Sequence, residues 1–118
     1  MAKLSLERMI KTLTTLGLSQ TDAEIYVYLA TNGPQKARNI AEALGTRKHQ
    51  LYRELKNLHC KGCVKATDEH PAVFSAEPFE KVLDQFIKAK NEEAQRVLRN
   101  KEECLSHWHS MVNKDTAG

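Results

Sequence analysis

Residues 37–62 read ARNIAEALGTRKHQLYRELKNLHCKG, and this stretch decides the fold. Ala37, Ile40, Ala41 and Leu44 recur at i, i+3, i+4 and i+7, the apolar face of a short helix. Gly45 follows as a C-cap, because glycine enters the left-handed region without steric cost. Thr46 is placed to cap a second helix, whose buried stripe is Leu51, Leu55 and Leu58. Gly62 closes that helix. With only Gly45 and Thr46 between the two periodic patterns, the helices must cross steeply, as in a helix-turn-helix.

The second helix has two chemically distinct sides. At about 100° per residue, Leu55 and Leu58 lie within about 40° of Leu51. His49, Arg53, Lys56 and Cys60 fall opposite, with Gln50 and Asn57 on the shoulder. Arg and Lys pair with guanine O6 and N7, and Gln or Asn with adenine N6 and N7, so this face suits a DNA major groove. Thr46, Arg47 and Lys48 sit where free backbone N–H groups favour a phosphate. Arg38, on the preceding helix, is placed to touch the DNA backbone.

Charge supports this. The chain has 118 residues, with 18 Lys and Arg against 15 Asp and Glu, a formal net charge of +3. The excess is concentrated. Residues 36–65 hold eight basic side chains and two acidic ones, a local +6. Lys36, Arg38, Arg47, Lys48, Arg53, Lys56, Lys61 and Lys65 supply it, the footprint of a site for a polyanion. Lys56, Lys61 and Lys65, with Arg38, read as phosphate anchors.

The flanking segments complete a winged helix. Leu6, Met9, Ile10, Leu13 and Leu16 give an N-terminal helix over 4–16, ended by Gly17. Another helix starts near Ser19 or Thr21, where Thr21 and Glu24 have capping-box spacing. Ile25, Tyr26 and Leu29 are among its apolar residues, and Asn32-Gly33-Pro34 stops it. Residues 63–67 and 72–76 are short candidate strands around an Asp68-Glu69-His70-Pro71 turn, a small hairpin that must pack on the helices.

From Pro78 to about Val112 nothing breaks a helix. Phe79, Val82, Leu83 and Phe86 can pack on the domain. Beyond them Ile87, Asn91, Ala94, Leu98, Lys101, Leu105, Trp108 and Val112 recur at alternating four- and three-residue steps. That is an a/d seam, which predicts a coiled-coil homodimer. The expected organisation is a mainly α winged helix-turn-helix domain over 1–77, a dimerisation helix over 78–113 and a disordered tail over 114–118.

Several residue groups together resemble the winged helix-turn-helix domain of TrmB-type transcriptional regulators, which are mostly archaeal. They are Leu16-Gly17-Leu18-Ser19, Gly33-Pro34, Asn39-Ile40-Ala41-Glu42, Tyr52 with Leu55 and Leu58, Lys61-Gly62-Cys63-Val64, His70-Pro71 and Glu77-Pro78. The resemblance covers about residues 15–90. It implies that helix 46–61 is the recognition helix, 64–76 the wing and the following helix a dimerisation coiled coil. The family's sugar-binding effector domain has no counterpart in these residues. Leu usually stands where this chain has Cys63, and Ala72-Val73 after Pro71 replace the basic residues often found in that wing.

Other function classes leave weaker marks. His59-Cys60-Lys61-Gly62-Cys63 contains a C-x2-C, and Cys104, His107 and His109 add candidate ligands for zinc. Cys60 and Cys63 could therefore serve a metal- or redox-responsive regulator. A winged helix can also be a protein-interaction adaptor that never touches DNA. No phosphate-binding glycine loop, nucleophile elbow or paired carboxylates point to an enzyme, and no cofactor is expected. Neither a signal peptide nor an apolar run of about 18 residues is present, which predicts a cytoplasmic protein without a membrane partner. Three cysteines do not make a disulfide framework.

Overall fold

The computed structural model describes residues 2–117, with side chains from Ser5 to Asn113. Two compact units are present, Met1–Phe86 and Ile87–Gly118. The first is the winged helix, and it runs nine residues past the expected boundary at residue 77. Val82 explains the extension: it is fully buried in the core, with Phe79 and Phe86 packed against that core.

α1 (Ala2–Thr15) lies against α2 (Gln20–Asn32). Ser19 caps α2, its Oγ accepting from the backbone N–H of Asp22 at 3.1 Å. The capping box expected of Thr21 and Glu24 does not form. Thr21 is already inside the first turn, and Glu24 Oε1 accepts instead from Gln20 Nε2 at 2.9 Å. Buried Ala23, Ile25, Tyr26 and Leu29 make α2 the central helix of the core.

β1 (Gln35–Lys36) leads into α3 (Ala37–Leu44). Gly45 then takes φ 66°, and the N–H of Thr46 returns to the Ala41 carbonyl at 3.1 Å. Thr46 thereby finishes α3 and does not cap the next helix, as its position in the sequence had suggested. α4 (Lys48–Cys60) has Arg47 at its N-cap, with no side-chain cap bond. Leu51, Leu55 and Leu58 are buried as the periodicity requires.

β2 (Val64–Ala66) and β3 (Val73–Ala76) form the antiparallel wing, with Lys65 opposite Ser75. β1 pairs with the other edge of β3, Lys36 opposite Val73, giving the order β1-β3-β2. Two residues are too few to show a strand period, so β1 was not legible from alternation. Tyr26 on α2 donates its hydroxyl hydrogen to the Glu77 carbonyl, and its ring centroid lies 6.2 Å from that of Phe79. That pair ties the central helix to the chain leaving the wing.

α5 (Phe79–Arg99) and α6 (Lys101–Ala117) replace the single uninterrupted helix expected to Val112. At Asn100 the N–H is shared between the carbonyls of Arg96 at 3.3 Å and Val97 at 3.2 Å. Asparagine competes for backbone hydrogen bonds and is a weak helix former, which fits an interruption there. Helix continues to Ala117, through most of the stretch expected to be a tail; Gly118 lies outside the described residues. Every residue from Ile87 to Asn113 is exposed.

Candidate nucleic-acid interface

α4 presents the arrangement its sequence implies. Its leucines are buried, while His49, Gln50, Tyr52, Arg53, Lys56, Asn57, His59 and Cys60 are exposed. No acidic residue stands in its first turn. A helix N-terminus carries a partial positive charge, normally complemented by Asp or Glu. Here Arg47 and Lys48 add cations to it, and both are exposed. Such an end is stabilised by an external anion, and phosphate fits.

Most of the sequence-predicted contact residues are exposed. Arg38 on α3, Lys61 after α4 and Lys65 on β2 are exposed along with Arg47, Lys48, His49, Gln50, Arg53 and Lys56. Their internal ties are slight. Arg38 Nε lies 3.6 Å from Glu42 Oε1, and both side chains are largely in solvent. Exposed pairs of this kind are worth under about 1 kcal/mol. Gln50 Nε2 donates to Glu54 Oε1 at 3.2 Å, and Arg53 Nη2 lies 3.4 Å from His49 Nε2.

One predicted residue has its side chain engaged by the fold, and another has its hydroxyl oxygen buried. Asn57 Nδ2 donates to Asp22 Oδ2 at 2.8 Å, which anchors α4 to α2. The Thr46 hydroxyl oxygen is buried and has no hydrogen-bond partner. Conversely, two residues missing from the sequence-derived set join the surface. Tyr52 and His59 lie on the wing side of α4 and line a groove with Ala66 and Phe74. Their angular position, between the buried and opposite faces, was the available signal. Lys36 lines a second cleft with Gln35, Arg38 and Asn39 at the start of α3.

The wing is chemically mixed. Lys65 is exposed, and so are Asp68 and Glu69 at the tip. Thr67 closes the tip, its Oγ1 accepting from the Val73 N–H at 2.9 Å.

The three cysteines are free and differ in burial. Cys63 is wholly buried, whereas Cys60 and Cys104 are exposed. Burial pushes the Cys63 thiol up to about 11, with Lys61 opposing and Asp22 reinforcing the shift. A thiol held protonated is a poor nucleophile and a poor ligand. Among the described residues, no three His, Cys, Asp or Glu side chains come together to hold a metal. No helix among them is long and apolar enough to cross a membrane.

The fold has solved counterparts. TrmBL2, an archaeal chromatin protein whose structure shows a novel mode of DNA binding, superposes with a TM-score of 0.78 at 21% identity. The match covers 92% of this chain and 42% of that one, so this chain spans less than half the length of TrmBL2. A possible transcriptional regulator from Methanosarcina mazei Go1 gives 0.64 at 16% identity, covering 82% of this chain and 86% of that one. The Multiple Antibiotic Resistance Repressor, MarR, gives 0.53 at 14% identity, with 94% and 88% covered. No curated protein matches. Residues 13–80 match the family described as "Sugar-specific transcriptional regulator TrmB", and with more than half of its length so matched, the chain belongs to the TrmB family of winged-helix transcriptional regulators.

Proposed function

We propose that this chain is a sequence-specific double-stranded DNA-binding regulator that acts as a homodimer, with α4 as its recognition helix in the major groove. The observation that carries this reading is the exposed face of α4: Arg47, Lys48, His49, Gln50, Arg53 and Lys56 beside an N-terminus without an acidic cap. Arg53 and Gln50 are the candidates for base edges. Arg38, Lys61, Lys65 and the start of α4 hold phosphates. Asn57 acts from behind, fixing α4 through Asp22.

Dimerisation is assigned to the second unit. Leu98, Leu105, Trp108 and Val112 are exposed there, and so are Val97 and Met111 outside the expected seam. A lone helical segment leaves these side chains in water, whereas a second copy would bury them. Two recognition helices would then meet successive major grooves about 34 Å apart on a pseudo-palindromic site.

Salt titration of duplex binding tests the reading. Affinity should fall with a log–log slope of about −0.9 per neutralised phosphate. Absence of binding at low salt would favour a winged-helix adaptor, for which the exposed basic face would then be a protein surface.

A further inference from the structure

The groove between α4 and the wing is apolar where the rest of the α4 surface is polar. It has a volume of about 390 Å³ and is lined by Tyr52, Leu55, Lys56, His59, Ala66 and Phe74. Leu55 and Phe74 belong to the core and form a fixed floor, whereas Tyr52 is 45% exposed. An aromatic ring lying half in water beside Arg53 and Lys56 is not explained by the packing of the winged helix. It suits a ligand that is apolar at one point and anionic around it, since Lys56 lines the same groove and Arg53 adjoins Tyr52 in the chain.

Duplex DNA meets that description. Its phosphates supply the anionic surroundings, and the major-groove edge of the bases carries the thymine C5-methyl as its apolar group. Building on the reading of α4 as the recognition helix, we propose that Tyr52 is a specificity-determining residue that reads a thymine methyl with its ring. Arg53 and Tyr52 leave α4 about 100° apart on one turn. A guanidinium and a ring so placed can address neighbouring base pairs, one through acceptor atoms and the other through a methyl group. The Tyr52 hydroxyl is not needed for the methyl contact.

Deoxyuridine substitution tests this, because uracil differs from thymine only by the methyl group. A duplex selected by the intact protein from a random pool would be resynthesised with each thymine replaced singly by deoxyuridine. One replacement per half-site should weaken binding about fourfold, as expected for one buried methyl. Tyr52→Phe should keep that sensitivity and Tyr52→Ala should lose it, with thermal melting used to show that both variants fold. Insensitivity at every thymine, or equal sensitivity in wild type and Tyr52→Ala, would overturn the assignment of Tyr52 while leaving DNA binding intact. Failure of the wild-type protein to bind any duplex would instead overturn the regulator reading and this assignment with it. Displacement of bound DNA by an apolar small molecule that occupies the groove, without thymine sensitivity, would assign the groove to an effector and also overturn the proposal.

Discussion

Asn57 on α4 donates a 2.8 Å hydrogen bond to Asp22 on the central helix α2, and Asp22 is only 3% exposed. The other Asp22 oxygen is buried without a partner. The surface helix is thus held by a carboxylate whose satisfaction depends on it. Asn57→Ala should cost about 1–3 kcal/mol of stability in urea unfolding, the range for a buried polar group left unpaired. In the double variant Asp22→Ala/Asn57→Ala the loss should be smaller than the sum of the single losses. Strict additivity would show that the bond carries no coupling.

Alkaline pH should destabilise the fold through two buried acids. Burial, reinforced by the Cys63 and Glu77 charges, raises Tyr26 from 10.0 to about 12. Cys63 rises from 9.0 to about 11, chiefly by burial. Both groups are largely neutral in either state below about pH 8, so their contribution is intact there. Above it the unfolded chain ionises first, and stability falls until the folded values are passed near pH 11 and 12. The loss is up to about 3 kcal/mol for each group. Melting temperature measured from pH 8 upward should drop beyond pH 9, and Cys63→Val should remove the earlier part of that drop. A flat profile to pH 11 would contradict the burial of these groups.

Base contact and phosphate contact separate by substitution. Arg53→Ala should cost about 1–3 kcal/mol and relax preference at one base pair if it reads guanine. Lys65→Ala should weaken all duplexes alike and reduce the salt slope by about one. Binding of variant duplexes at several salt concentrations distinguishes these outcomes.

Leu105→Asp should shift the protein toward monomer in sedimentation equilibrium, because it places a charge on the exposed apolar face of α6. DNA affinity should fall with it as half-site coupling is lost. An unchanged dimer would assign the interface to another surface.

Much of this fold was legible because its signals are local. The leucines of α4 and the glycine after α3 each fix a backbone choice within a few residues, and they do so as the periodicity implies. What escaped depends on partners distant in sequence. β1 exists because β3 offers it an edge. The interruption at Asn100 depends on how a few carbonyls share an N–H. Thr46 had the chemistry of a cap but was already used to end α3. At the interface the helical wheel separated core from surface, yet it could not show that Asn57 reaches back 35 positions to Asp22. Nor could it show that Tyr52 faces a groove whose far wall comes from the wing.

The proposed role of the α4 face is to read sequence and not merely to attract phosphate. The most direct measurement is the affinity of the intact protein for a duplex selected from a random pool, compared with a shuffled duplex of equal length and composition at physiological salt. A sequence-specific regulator should prefer the selected duplex by about 10³-fold or more. Equal affinity for the two, or no enrichment during selection, would contradict it.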